Sequence, residues 1–232
     1  MDGTLRALDV RIEWAVPEAA DAATRARWLG VLDASERAQA DRFRFAADRD
    51  AYIAAHGLAR LMLEKAVPDV PARRWQFVVG PWGKPEPDPA LGCRGLRFNI
   101  SHTRGFVCCA TAWDRDIGVD VESLGRRPVS PGLPERFFAP CEAAMVAAED
   151  AATRQDVFLR IWTLKEAFVK ATGEGIGMGL DSFAFALDPP ALRFAPASAG
   201  PPGAWRFMQT RPLPGHLMAL AVRGAPSVGD AR

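Results

Sequence analysis

The chain has 232 residues, 49% of them hydrophobic and 25% charged, with 29 basic against 28 acidic side chains and a formal net charge of +1. That length supports one large domain or two small ones, each with a usable core. The near balance of charge gives no global case for nucleic-acid or membrane-surface binding, so any anion site is local, and no apolar run reaches the ~18 residues of a membrane span.

In chain order, Leu5 to Trp14 alternates and predicts a first strand. Residues 17–32 predict one helix, and Asp33-Ala34-Ser35-Glu36 a second helix start with Asp33 or Ser35 as its cap. The acids at Asp2 and Asp9 and the lack of a long apolar core argue against a secretory signal. A helix is expected from about Asp48 to Lys65, with Ile53, Leu58, Leu61 and Met62 on its core face. Arg37, Arg42, Arg44 and Arg49 lie among Asp33, Glu36, Asp41 and Asp48; this is either a solvated face or an anion site near a helix start.

Trp75 to Val79 predicts a strand, and Gly80 to Pro89 a rigid extended loop that excludes helix. In it Lys84 stands between Gly83 and Pro85, next to Trp82, as a surface lysine or as one that meets a flat ligand. Leu96 to Ile100 and Phe106 to Ala112 predict strands, with Ser101-His102 after the first. Trp113 to Asp116 reads as a turn, so that Val107–Ala112 and Ile117–Glu122 would pair as a hairpin. Of the four cysteines, Cys93, Cys108, Cys109 and Cys141, none shows C-x-x-C spacing; they read as thiols of a reducing cytosol, and the expected location is cytoplasmic.

Gly125 to Pro134 is a Pro/Gly-rich connection, followed by a short helix over Pro140–Asp150 and a longer one over Arg154–Thr172. The longer helix buries Val157, Phe158, Ile161, Leu164 and Phe168. Thr163, Glu166 and Lys170 fall on another face; as a mere surface pair Glu166 and Lys170 would add about 0.3–0.5 kcal/mol. The glycines at 173, 175, 177 and 179 follow a helix C-terminus, the wrong polarity for a phosphate loop. Ser182–Leu187, Trp205–Gln209 and His216–Arg223 predict strands, and the tail from Gly224 is expected to be loose. Arg42-Phe43-Arg44-Phe45 and Arg136-Phe137-Phe138 each precede a helix, a faint echo that suggests two similar α+β halves, residues 1–113 and 114–232.

The chemistry centres on Ile117-Gly118-Val119-Asp120-Val121-Glu122. Its alternation gives one branched apolar face for a core and an outer face with two carboxylates. Side-by-side carboxylates repel unless a cation sits between them, and oxygen-only ligands suit Mg²⁺; the competing reading is a solvated strand face. No G-x-S-x-G elbow surrounds Ser101, and three histidines (His56, His102, His216) argue against a histidine-built zinc site. Acids at 120, 122 and 166 with nearby cations are the parts of metal-dependent phosphate-ester chemistry.

Phe98-Asn99-Ile100-Ser101-His102, then Ile117 through Glu122, then Trp162-Thr163-Leu164-Lys165-Glu166-Ala167-Phe168-Val169-Lys170 resemble, in order and spacing, the signature of the 4′-phosphopantetheinyl transferases of the Sfp type. Trp82-Gly83-Lys84-Pro85, Arg42 through Arg60 and Arg136 through Glu142 match as well, so the resemblance covers roughly residues 33–187. It implies an α+β monomer of two pseudo-twofold-related halves with the active site in the cleft between them. It implies Mg²⁺-dependent transfer of phosphopantetheine from coenzyme A to a serine of an acyl or peptidyl carrier protein, releasing adenosine 3′,5′-bisphosphate, with neither nucleic acid nor membrane as partner.

Carried over by position, Asp120, Glu122 and Glu166 would hold the metal, with Glu166 and Lys170 catalytic. Coenzyme A would meet Trp82, Gly83, Lys84, Pro85, Asn99, Ser101, His102, Lys165 and Lys170, the adenine lying against Lys84 and Pro85. The family's basic residue for the 3′-phosphate falls on Gln39 here, with Arg37 or Arg42 as substitutes. The alternatives are an Mg²⁺-dependent hydrolase of coenzyme A or a nucleotide pyrophosphate, and a non-catalytic coenzyme A- or carrier-binding module.

Overall fold

The computed structural model describes residues 2–80, 82–125, 130 and 132–224, without the side chain of Ile176. The fold is α+β, and the chain divides into two compact units, one up to Arg115 and one from Asp116 on. No described helix is long and apolar enough to cross a membrane.

The first unit runs β1 (Gly3–Ala7), β2 (Val10–Ala15), α1 (Ala22–Val31), α2 (Ala34–Ala40), α3 (Ala46–Ala66), β3 (Phe77–Val79), β4 (Pro85–Pro87), β5 (Leu96–Thr103) and β6 (Phe106–Trp113). The antiparallel sheet has the order β1-β2-β6-β5. Helix α3 buries Ala54, Leu58, Leu61 and Met62 with Leu96, Phe98, Val107 and Cys109 of the sheet. Each large side chain enclosed there contributes about 1.5–3 kcal/mol relative to exposure.

The expected single strand over Leu5–Trp14 is instead a hairpin, because Leu8 and Asp9 both take positive φ (53° and 60°). A two-residue hairpin needs that backbone, and Leu-Asp carries none of the usual glycine or asparagine signal for it. The expected helix over residues 17–32 is broken at Ala20; α1 starts anew from Asp21, whose carboxylate accepts the Thr24 N–H. Asp33, not Ser35, caps α2 and forms a full capping box with Glu36. The stretch after Gly80 is not all loop: Pro85–Pro87 pairs with Phe77–Val79.

The second unit runs β7 (Asp116–Ser123), α4 (Leu133–Phe137), α5 (Pro140–Ala147), α6 (Arg154–Thr172), β8 (Ala184–Leu187), β9 (Pro190–Phe194), β10 (Trp205–Thr210) and β11 (His216–Arg223). Its main sheet has the order β10-β11-β7, with Ala219 opposite Asp120 and Ala221 opposite Gly118. Helix α6 packs on this sheet: Ile161, Leu164, Ala167, Phe168 and Ala171 share a core with Leu217, Ala219 and Ala221. Phe168 sits in an aromatic cluster with Phe183, Phe185 and Trp205. The Gly125–Pro134 connection lies in part outside the described residues, as does the tail after Gly224; its last residues form the start of α4.

Two expectations about the central strand are corrected. The hairpin of Val107–Ala112 with Ile117–Glu122 does not form. Both edges of β6 are occupied, by β2 and β5, whereas β7 pairs with β11. Asp114 (φ 53°) turns the chain and donates its N–H to Gly95 O at 2.8 Å. Nor does β7 have an apolar buried face and an open acidic one. Ile117, Val119 and Val121 are buried, but the Gly118 face is covered by α6 and Asp120 retains only 6% exposure.

Candidate active site

Strand alternation sets Gly118, Asp120 and Glu122 on the face of β7 beneath α6, and the helical repeat sets Glu166 and Lys170 one turn apart on α6. Lys170 Nζ donates to Asp120 Oδ1 at 2.6 Å and to Val119 O at 3.3 Å. Glu166 is held above the ordinary glutamate range, first by burial and then by the Asp120 charge; Lys170 offsets this and Glu122 adds to it. Four of the expected residues, from two elements 44 or more positions apart in sequence, are therefore within electrostatic reach of one another. Lys170 keeps 27% of its side chain exposed, whereas Asp120 is buried.

Lys165 is elsewhere. It is fully buried, and its ammonium donates to Leu180 O at 2.7 Å and Phe183 O at 2.6 Å and pairs with Glu142 Oε2 at 2.7 Å. Three donors meet three acceptors, so none is left for a phosphate. Glu142 is buried as well and also accepts the Phe185 and Ala139 N–H groups. Burial pushes Glu142 up and Lys165 down, each toward its neutral form and against their mutual attraction. The expected contact of Lys165 with coenzyme A is thus replaced by a clamp between α5 and α6. Sequence spacing alone missed this: on α6, 165 is adjacent to 166, but neighbours on a helix point about 100° apart.

The remaining expected residues belong to the first unit. Phe98, Ile100 and His102 share one face of β5, and Asn99 and Ser101 the other. Ser101 is buried and His102 exposed. Lys84 and Pro85 lead into β4; Gly83 supplies the positive φ of 88° for the turn, and Trp82 is 65% exposed. Pro85, Phe77, Phe98 and Ile100 give apolar walls to a cavity of about 230 Å³, whose rim carries Glu36 and His56. Arg37 donates to Leu32 O and Gly30 O, closing the end of α1, and Arg42 Nη1 lies 3.4 Å from Gln39 Oε1.

Sequence reading also missed Arg60. It is fully buried and binds Glu36 at 2.7 Å, Asp33 at 2.6 Å and the carbonyls of Ala72 and Trp75. Burial would raise Glu36, but hydrogen bonds from His56 and Arg60 outweigh it and hold the carboxyl below its ordinary range. A capping box followed by an arginine on α3 was the available signal. Which arginine folds back onto it depends on the packing of α3.

With this geometry in hand, comparison with known proteins is specific. Residues 116–221 match the model of the 4′-phosphopantetheinyl transferase superfamily. The chain is 34% identical over 198 residues to the 4′-phosphopantetheinyl transferase HetI of Nostoc sp., covering 83% of this chain and 79% of that one. It is 32% identical over 161 residues to a 4′-phosphopantetheinyl transferase of Bacillus subtilis, 69% of each chain. It is 27% identical over 233 residues to the human L-aminoadipate-semialdehyde dehydrogenase-phosphopantetheinyl transferase, covering 91% of this chain and 74% of that one. The chain belongs to the 4′-phosphopantetheinyl transferase superfamily and is an enzyme of that class.

Among the described residues no three His, Cys, Asp or Glu side chains form a ready-made metal cage. Mg²⁺ does not require one, since it retains waters and takes one or two carboxylates together with substrate phosphate oxygens. The donor set fits that demand: Asp120, Glu122 and Glu166 offer oxygen only, and Glu166 is within electrostatic reach of the other two.

Proposed function

We propose that this enzyme moves the 4′-phosphopantetheine group of coenzyme A onto a serine of an acyl or peptidyl carrier protein and releases adenosine 3′,5′-bisphosphate. The observation that carries the reading is the convergence of Glu166 and Lys170 of α6 on Asp120 and Glu122 of β7. Asp120, Glu122 and Glu166 would hold Mg²⁺, which would supply charge neutralisation at the pyrophosphate. The Lys170 ammonium, paired with Asp120 at 2.6 Å, supplies a second positive charge there.

The carrier serine attacks the phosphorus that bears the pantetheine arm, and the bond to the bisphosphate oxygen breaks. The serine proton passes to a Glu166 carboxylate oxygen. General-base catalysis by a positioned carboxylate of this kind contributes about 10²–10⁴-fold. In the first unit, the apolar walls at Phe77, Pro85, Phe98 and Ile100 suit a planar base. Lys84, Asn99, Ser101 and His102, with Trp82 and Gly83 at the turn, supply the polar contacts to coenzyme A. Arg42, beside Gln39, supplies the basic contact for the 3′-phosphate. The enzyme works as a cytoplasmic monomer.

The test is mass spectrometry of several apo carrier proteins after incubation with the enzyme, coenzyme A and Mg²⁺. The expected result is a gain of one phosphopantetheine on at least one carrier, abolished by a chelator. Release of nucleotide without any carrier would point to a hydrolase, and no mass gain on any carrier would overturn the assignment.

A further inference from the structure

Glycine 118 stands in the acidic strand, two residues before Asp120 and on the same face. A Cβ at this position would lie 2.0 Å from Ala167 O, 2.5 Å from Ala171 N and 3.0 Å from the carbonyl carbon of Lys170. All three are backbone atoms, and the first two are the acceptor and donor that an α-helix joins across one turn. That turn begins one residue after Glu166 and contains Lys170, so the strand touches the helix at the rung that displays both side chains. The residues beside Gly118 on this face, Ala219 and Ala221 of β11, are small and fully buried.

We infer that Gly118 is the positioning residue of the site: its missing side chain sets the distance from the β7 carboxylates to Glu166 and Lys170. This rests on the proposed metal-binding role of those acids. Any side chain at 118 must drive α6 off β7 by more than an ångström, because helix backbone cannot yield as a side-chain tip can. The 2.6 Å contact of Lys170 with Asp120 and the spacing of Glu166 from Asp120 and Glu122 would open together. Hydrophobic burial does not require glycine here, since alanine buries more apolar surface; close approach of two backbones does.

The test uses Gly118→Ala in the full chain. Calorimetric titration with Mg²⁺ in the presence of coenzyme A is expected to show about a 10-fold loss of Mg²⁺ affinity. Carrier modification is expected to fall about 100-fold in kcat. The far-UV spectrum and a cooperative melt are retained. Asp120→Glu, whose carboxylate reaches one methylene further, lowers the rate of the wild-type chain but raises that of Gly118→Ala, a sign change that general destabilisation does not produce.

A folded Gly118→Ala enzyme with wild-type Mg²⁺ affinity and kcat would overturn the inference, as would equal losses from Asp120→Glu in both backgrounds. Should Gly118→Ala not fold, Ala219→Val places a milder wedge beside Asp120; a folded Ala219→Val protein with lowered Mg²⁺ affinity supports the inference, and unchanged affinity overturns it. Wild-type protein that binds Mg²⁺ with coenzyme A but modifies no carrier defeats the proposed function alone. Wild-type protein that binds no Mg²⁺ defeats both.

Discussion

Lys165 and Lys170 stand five positions apart on one helix, each against a carboxylate, and serve different ends. Lys165 is fully buried with Glu142, every donor matched to an acceptor. Lys170 is partly open, and its partner Asp120 adds to the burial that holds Glu166 above its ordinary range. The difference lies in saturation and access rather than in residue type. A buried, fully satisfied ion pair has nothing to offer a substrate, and removing one member leaves the other charge stranded. An accessible ammonium beside excess negative charge can exchange its partner for a metal-bound phosphate. One pair therefore holds α6 in place, and the other uses the position so obtained.

The sharpest break of this comparison is Glu166→Gln, which keeps the carboxylate's shape without its charge. Transfer to an apo carrier is expected to fall by about 10²–10⁴-fold while the thermal melt is unchanged; near-wild-type rates at saturating Mg²⁺ would remove Glu166 from the chemistry. Next comes Glu142→Ala, which strands the Lys165 ammonium in the core. Equilibrium denaturation should show a loss of about 3–5 kcal/mol. The double variant Glu142→Leu/Lys165→Met should recover most of it, with kcat per folded molecule near wild type; a large residual loss of kcat would show that the pair does more than hold α6.

Lys170→Ala is expected to cost about 10²–10³-fold in kcat, with a smaller stability loss than Glu142→Ala because Lys170 is itself only partly buried. A stability loss as large as that of Glu142→Ala would erase the distinction between the two lysines.

The smallest effect concerns the first unit, where Glu36 and Arg60 repeat the buried-pair design. Glu36→Gln is expected to lose about 1.5–3 kcal/mol at neutral pH, read by denaturation. The folded pKa of Glu36 lies below its unfolded value, so the folded state takes up this proton less readily. Its stabilisation is complete above the unfolded pKa and decays as pH falls through the folded one. Wild type should therefore lose stability more steeply than Glu36→Gln over that acid range, and parallel curves would refute the assignment.

Much of this molecule follows from local rules. The 3.6-residue stripe of Val157, Phe158, Ile161, Leu164 and Phe168 located α6 at Arg154–Thr172, and the cap residues at Asp33 and Ser35 located the start of α2, because both signals lie within a few residues. The alternation of residues 117–122 located β7 and placed its two acids on one face, and the i, i+4 spacing placed Glu166 and Lys170 together. Motif order then named the chemistry.

Tertiary structure decided which elements meet. Periodicity is blind to partner choice, so β7 was assigned to β6 when both edges of β6 were already taken. It is equally blind to what covers a face: the acids look outward until α6 is laid over them, and Gly118 looks like an ordinary strand residue until a helix backbone lies where its side chain would be. For the same reason Lys165 and Lys170 are alike as letters. Only packing, which shut one among carbonyls and left the other beside Asp120, made the first a clamp and the second part of the candidate site.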